Sequence, residues 1–312
     1  MVDVVVYASS VANAHKHERK VACLENFAQG VRALGHSVVV DWDYRCQPAK
    51  LAVMLGWATT NTGGRNITLR KQVIAEQQRH GFRTMCIDAS CFKYLDNTGT
   101  YLRYSLDGPF YDRAEYANRN SSSVKWQEIQ QQLGITMRPS RARDGYILIG
   151  MQRDGGFSMK TLDPVTWLTN KIQEIRKYTT REIVIRPHPG KFDMADFTKF
   201  RHKEYVRQHV RVINPLESTL LENLQLAYAA VFFNSSASVA AVLEGVPVWV
   251  DDASAVTWTV AHHDMSTIES PQQFSTGQWI HDLATAHWSD QDGKAGLIYQ
   301  KFLPYLTSTT TS

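Results

Sequence analysis

Two short apolar runs between residues 183 and 252 each end in a small polar loop, and no other feature constrains the fold as strongly. Residues 183–185 lead into an Arg-Pro-His-Pro-Gly loop, and residues 229–233 lead into an Asn-Ser-Ser-Ala-Ser loop. Apolar runs of this length, separated by segments of helical periodicity and bounded by Gly and Pro, are typical of buried parallel strands. Because ligands bind beyond the carboxyl ends of such strands, both loops are candidate binding elements.

The Asn-Ser-Ser loop has the composition of an anion site. Asn234, Ser235 and Ser236 stand where a helix is predicted to begin, and a helix start offers unpaired backbone N–H groups and a positive dipole end, which favour a phosphate. Glu244 follows Ser236 by about two turns, near the helix end, where a carboxylate is unfavourable, so we expect it to have a partner such as a ribose diol. Ordinary N-capping and a solvated helix end are the alternatives.

The Arg-Pro-His-Pro-Gly loop presents a histidine on a stiff backbone. Pro187 and Pro189 each fix their own φ and restrict the residue before them, so His188 is held on both sides. An imidazole placed next to Arg186 at the end of a buried strand suits binding or proton transfer better than packing.

The two loops together resemble the C-terminal, nucleotide-binding domain of GT-B glycosyltransferases. The Arg-Pro-His-Pro run at 186–189, with Asn-Ser-Ser at 234–236 and Glu-Gly-Val-Pro at 244–247, is similar to the bacterial capsule-polysaccharide group, including Kdo transferases and sialyltransferases with His-Pro and Ser-Ser motifs. The resemblance covers about residues 145–255. It implies that His188 and the serine loop hold the phosphate of a sugar nucleotide, and that Glu244 binds its ribose.

A third loop follows the predicted strand 146–151. Gly155 and Gly156 allow the backbone to approach a phosphate closely, and Ser158 lies in the same loop. Arg153 supplies positive charge, which a transferase without a metal needs to neutralise its leaving phosphate. We therefore expect these four residues to contact the donor, with no metal and no tightly bound cofactor.

The organisation of the whole chain fits the same class. Strands alternate with helices in the N-terminal half, which predicts a parallel sheet covered on both faces. We predict an α/β fold of two Rossmann-like domains facing across a cleft (GT-B). Residues 1–144 form the acceptor domain; residues 145–306 form the nucleotide-sugar domain, whose last helix packs back on the first; and residues 307–312 form a disordered tail. No apolar run approaches 18 residues and no signal-peptide pattern is present, so we expect a cytoplasmic protein without membrane contact.

The N-terminal half carries features of a surface that meets an anionic partner. Residues 1–145 contain 19 Lys and Arg against 13 Asp and Glu. Tyrosines and a phenylalanine are interleaved with basic residues between 94 and 119, a mixture that can stack bases or sugars while neutralising phosphates. The alternative is that these aromatic side chains fold the segment onto the sheet.

The resemblance implies transfer from a nucleotide-sugar, with a UDP-sugar as the expected donor. An inverting transfer needs a general base on the first domain, for which Asp107 is the first candidate and His17 the second. From charge and layout we predict that the acceptor is a 5-hydroxymethylpyrimidine, such as hydroxymethylcytosine, in double-stranded bacteriophage DNA. The alternatives are a capsule-type glycan or lipid-linked saccharide acceptor, a non-catalytic nucleotide-sugar or DNA-binding module, and a GT-B-type epimerase.

Overall fold

A computed structural model describes residues 2–13, 18–58, 64–95, 98–140, 144–153, 157–159, 162–190 and 209–306. Its internal contacts define two units. The first unit comprises Met1–Gln127 together with Ile280–Ser312, and the second comprises Glu128–Trp279. The boundary therefore precedes the one predicted between residues 144 and 145, and the C-terminal segment belongs to the first unit.

The described elements are named in chain order. The strands are β1 Val4–Tyr7, β2 Val38–Asp41, β3 Leu51–Leu55, β4 Arg83–Ala89, β5 Tyr101–Leu106, β6 Tyr146–Gly150, β7 Ile183–Arg186, β8 Val210–Val212, β9 Ala227–Phe232, β10 Val248–Val250 and β11 His287–Ser289. The helices are α1 Glu18–Ala33, α2 Arg65–Arg79, α3 Val124–Leu133, α4 Pro164–Ile175, α5 Leu220–Gln225, α6 Ala237–Leu243, α7 Gly277–Thr285, α8 Asp290–Lys294 and α9 Leu297–Phe302.

The first unit is built on a sheet with the order β11-β5-β4-β3-β1-β2. Strands β1 to β4 are parallel, whereas β5 and β11 run antiparallel to their neighbours. Successive β1 side chains point to opposite faces of the sheet, and both faces are covered. Val4 and Val6 pack in a cluster with α1, and Val5 and Tyr7 pack in a cluster with α2.

The C-terminal helices of the first unit pack against α1 at unusually short range. A Cβ atom at Gly30 of α1 would lie 2.1 Å from the backbone oxygen of Gly293 in α8 and 2.6 Å from the backbone nitrogen of Gly296. The rings of Phe27 and Tyr299 meet edge to face at 6.2 Å between centroids. Only a residue without a side chain allows α1 and the C-terminal segment to approach this closely.

The second unit contains a parallel sheet with the order β10-β9-β6-β7-β8. The chain starts at β6 in the centre, adds β7 and β8 on one side, and then returns to add β9 and β10 on the other. This is the doubly wound arrangement. Its switch point lies between β6 and β9, where the loops that follow these two strands separate. The predicted α/β class with two Rossmann-like units is confirmed.

A buried histidine joins β11 to the loop after β4. The backbone N–H of Cys91 donates to Nε2 of His287 at 3.0 Å, and Nδ1 of the same ring lies 2.8 Å from the carbonyl oxygen of Leu283. His287 is fully buried, and burial lowers its pKa to about 3. The imidazole therefore stays neutral in the folded protein at any pH above that value.

This neutral histidine makes stability depend on pH in a defined window. Because the pKa is lower in the folded chain than its ordinary value of about 6.5, the unfolded chain gains a proton first, and stability is lost as the pH falls from about 6.5 towards 3. Between pH 7 and pH 5 we expect wild type to lose about 2 kcal/mol more of its free energy of unfolding than the variant His287→Gln. Urea denaturation of both proteins at each pH measures the difference. Equal losses would show that His287 does not titrate as described.

Candidate functional site

At the switch point of the second unit, a phenylalanine ring covers a glycine of the neighbouring strand. Gly150 at the end of β6 pairs with Phe232 at the end of β9, and a Cβ atom at residue 150 would lie 2.3 Å from the Phe232 ring. Glycine is therefore required for this ring to cover the end of β6. As a result, the loops after β6 and β9 leave the sheet side by side at its carboxyl edge, the edge where the parallel strands end.

Asn234 connects the loops at this edge. Its Oδ1 accepts a hydrogen bond from Nε2 of Gln152 at 2.6 Å, and its Nδ2 donates to the carbonyl oxygen of Ser158 at 2.9 Å and to Oγ of Ser254 at 2.7 Å. Ser254 in turn donates to Asp252 after β10. One amide thus fixes the segments that follow β6, β9 and β10.

Gln152 was not among the predicted site residues. Its Oε1 is buried and accepts no hydrogen bond within the described part of the chain. The signal was available in the sequence, since Gln152 and Asn234 are amide residues just beyond the two strands that flank the switch point. A hydrogen bond between two amide side chains can hold two loops together, and Oε1 of Gln152 is not used in that bond.

The serine loop caps its own helix. Oγ of Ser235 accepts a hydrogen bond from the backbone N–H of Ala237 at 3.2 Å. The carbonyl oxygen of Ser235 accepts from the N–H and the hydroxyl of Ser238 at 3.0 and 2.7 Å. Ser236, by contrast, makes no side-chain capping bond and is half-buried. Ordinary capping therefore accounts for Ser235, and Ser236 is the serine whose hydroxyl suits a ligand.

His188 and Arg153 are neighbours at the carboxyl edge. The backbone N–H of Gly190 donates to Nδ1 of His188 at 3.0 Å, so the proton of a neutral imidazole is on Nε2. A Cβ atom at Gly190 would lie 3.2 Å from the His188 ring and 4.0 Å from Cδ of Arg153, which is exposed. A cation and an N–H donor on adjacent loops match the requirements of a phosphate group.

Arg186, which was predicted to bind the donor, makes its hydrogen bonds inside the protein. It is only 9% exposed. Its Nη1 donates to the carbonyl oxygen of Ser218 at 2.9 Å and to Oδ1 of Asn223 at 2.6 Å, and its Nη2 donates to the carbonyl oxygen of Pro215 at 3.2 Å. Because Arg186 still belongs to β7, its side chain lies against the segment 215–223 and anchors the start of α5.

Glu244 lies at the wrong end of its helix for the predicted ribose contact. A rise of 1.5 Å per residue places it about 12 Å along the helix from Ser236, towards the start of β10. Its carboxylate is 7% exposed, and Nη1 of Arg138 lies 3.0 Å from its Oε2. The expected partner of this carboxylate is thus an arginine of the segment before β6, and a nucleotide bound at Ser236 would have to span α6 to reach it.

Asp107 is likewise on the unsuitable edge of its sheet. Its carboxylate accepts from the backbone N–H of Thr84 at 2.9 Å and pairs with Nε of Arg83 at 2.6 Å, both at the start of β4. Since β5 runs antiparallel to β4, the residue after β5 lies where the parallel strands begin. Burial raises the pKa of Asp107, and its bonds to Thr84 and Arg83 oppose the rise. This geometry disfavours Asp107 as a base for a ligand at the carboxyl edge.

The remaining predicted features divide into two groups. His17, Gly155 and Gly156 lie outside the described residues. In the aromatic segment 94–119, the structure favours the packing alternative, because Tyr101, Tyr104, Tyr116 and Arg103 are buried. Within the described ranges, no three His, Cys, Asp or Glu side chains group closely enough to hold a metal ion, and no helix there is long and apolar enough to span a membrane.

The solved structures that match this chain share its fold. No protein-family model and no curated protein matches the sequence. Two Rossmann-like units in one α/β chain are the architecture of the GT-B class, and solved structures of that class match nearly the whole chain. The Thermosulfurimonas dismutans KpsC beta Kdo 2,4 transferase matches with a TM-score of 0.56 at 13% identity, covering 91% of this chain and 90% of that one. The beta Kdo 2,7 transferase of the same KpsC matches with a TM-score of 0.52 at 13% identity, covering 96% and 99%.

The structural role of Arg186 and the half-buried position of His188 predict effects of different size on stability. The variant Arg186→Met leaves one side-chain and two backbone acceptors without their donor, so we expect it to lower the free energy of unfolding by about 2–4 kcal/mol. His188→Ala should change it by no more than about 0.5 kcal/mol. Urea midpoints of both variants against wild type give the comparison. A stable Arg186→Met protein would return Arg186 to the list of candidate ligand-binding residues.

Proposed function

We propose that the chain is a nucleotide-sugar-dependent glycosyltransferase that extends a capsule-type glycan or a lipid-linked saccharide. One observation carries the proposal: Arg153, His188 and Ser236 lie on loops that leave the same carboxyl edge of a doubly wound sheet. The likeness in fold to two Kdo transferases supports the same class of reaction.

The donor's phosphate is bound by side chains in this proposal. Nε2–H of His188 and the hydroxyl of Ser236 donate hydrogen bonds to its oxygens, and Arg153 supplies positive charge. These groups also stabilise the charge that develops on the phosphate as the sugar departs. Gly155 and Gly156 lie outside the described residues, and their contact with the donor stays an expectation from the sequence. A UDP-sugar is the first donor to test.

A glycan acceptor now has more support than DNA. The DNA prediction depended on a basic first domain and on aromatic residues available for stacking. Tyr101, Tyr104 and Tyr116 are buried and the buried Arg103 pairs with Asp88, so half of the aromatic residues of this segment are not available for stacking. A modest excess of positive charge remains, and it suits an anionic glycan as well as a nucleic acid.

A transfer assay tests the proposal directly. Wild type is incubated with UDP-, CMP- and GDP-sugars and with three acceptors: an anionic oligosaccharide, a lipid-linked saccharide and hydroxymethylcytosine-containing DNA. Mass spectrometry should show the mass gain of one sugar on a saccharide, and His188→Ala should slow this transfer about 100-fold by removing one phosphate donor. His80→Ala, an exposed histidine at the end of α2, is the matched control and should transfer normally.

The other outcomes separate the alternatives. Nucleotide-sugar binding without transfer to any acceptor would contradict an enzyme and favour a binding module. Free sugar and nucleotide released equally with and without an acceptor would favour the epimerase alternative. A mass gain confined to DNA would restore the DNA prediction.

A further inference from the structure

The first unit has its own carboxyl edge, at which β1, β2, β3 and β4 end together. If the proposed function holds, an acceptor hydroxyl bound there needs a carboxylate or histidine to take its proton. Asp107 lies at the opposite edge. In the described part of the chain, the carboxylates at or just after these strand ends belong to Asp41, Asp43 and Asp88.

Two of these three carboxylates are unsuitable. Asp41 is 6% exposed and accepts hydrogen bonds from the hydroxyl of Ser9 and from the backbone N–H groups of Tyr44 and Arg45. It is committed to shaping the turn after β2. Asp43 has a side chain that is 65% exposed, and its partner Arg45, at 3.3 Å, is 79% exposed, so this surface ion pair holds the carboxylate only weakly.

Asp88 combines a fixed position with access from solvent. The last pair between β3 and β4 is Leu55 with Ile87, so Asp88 is the first residue beyond it. Nη2 of Arg103 donates to Oδ2 at 2.7 Å, and the backbone N–H of Ala89 donates to Oδ1 at 2.8 Å. The side chain of Asp88 is 39% exposed, whereas that of Arg103 is 9% exposed. The carboxylate is therefore held from the protein side and open on the other.

The residues behind Asp88 keep Arg103 in place. The guanidinium of Arg103 lies 3.5 Å from Sγ of Cys91 and 5.8 Å from the centre of the Tyr116 ring. Cys91 is fixed in turn by its backbone bond to the neutral ring of His287. Arg103 is the buried member of the ion pair and Asp88 is the accessible member, so these contacts hold the carboxylate in place without removing it from solvent.

From this placement we propose that Asp88 is the general base of the transfer. The acceptor hydroxyl gives its proton to Oδ1 or Oδ2 of Asp88 as its oxygen bonds to the anomeric carbon. The bond between that carbon and the donor's phosphate oxygen breaks, and the phosphate leaves with the electron pair. Arg103 is a positioning residue that orients the carboxylate. The proposal depends on the proposed function and adds the acceptor-side residue that it lacks.

The test compares Asp88→Asn with Asp107→Asn, the same chemical change at the opposite edge. Both are measured in the transfer assay with the donor and acceptor that wild type uses. Asp88→Asn should lower kcat at least 100-fold and remove the limb of the pH profile that reports the base, with donor Kd unchanged and the protein still folded under assay conditions. Asp107→Asn should keep kcat within a few-fold of wild type.

The results that overturn the proposal are distinct from those that overturn the proposed function. If wild type transfers sugar and Asp88→Asn does so at the same rate, or if its loss is matched by Asp107→Asn, the assignment of Asp88 is wrong and the proposed function stands. If Asp88→Asn loses activity only together with its fold or donor affinity, its role is structural. If wild type transfers nothing, the proposed function and this assignment fail together.

Discussion

The side-chain amide of Asn234 holds together the loops at the carboxyl edge of the second unit, and the candidate site depends on these hydrogen bonds. Three strands end at one edge of the sheet, and without a common partner their loops would move independently. Asn234 forms hydrogen bonds with Gln152, Ser158 and Ser254, so a single side chain holds the loops after β6, β9 and β10 together. Because both ends of the amide are used, a carboxylate or an apolar residue at this position would leave buried groups unpaired. Asn234 therefore fixes the loop that carries Arg153 and the loop that carries Ser236 relative to each other.

Strand direction decides which polar residues can share a ligand. His188 and Ser236 follow parallel strands of the second unit, and Asp88 lies at the end of such a strand in the first. Asp107 and Glu244 lie near strand beginnings, and each is paired with an arginine. Exposure does not separate Asp107 from Asp88, because their side chains are 40% and 39% exposed. Their positions do, since Asp107 lies where the parallel strands begin and Asp88 lies where they end.

Local sequence was sufficient for much of the fold and for part of the site. The apolar runs at 183–185 and 229–233 correspond to β7 and β9, because buried parallel strands need apolar residues on both faces. The failures have long-range causes. Placing Asp107 required the antiparallel pairing of β5 with β4, which its neighbours do not encode. Arg186 adjoins the His188 loop in sequence, but the pleat of β7 turns its side chain to the segment 215–223, whose position no local pattern reveals.

The return of the C-terminal segment to the first unit has a consequence for biosynthesis. The second unit is continuous in sequence, whereas the first needs β11, α8 and α9, which are translated after it. Until these segments are made, the outer edge of β5 has no neighbouring strand and α1 lacks the helix that packs against Gly30. A unit that begins first is completed last, so its exposed strand edge is the surface most in need of chaperone protection during synthesis.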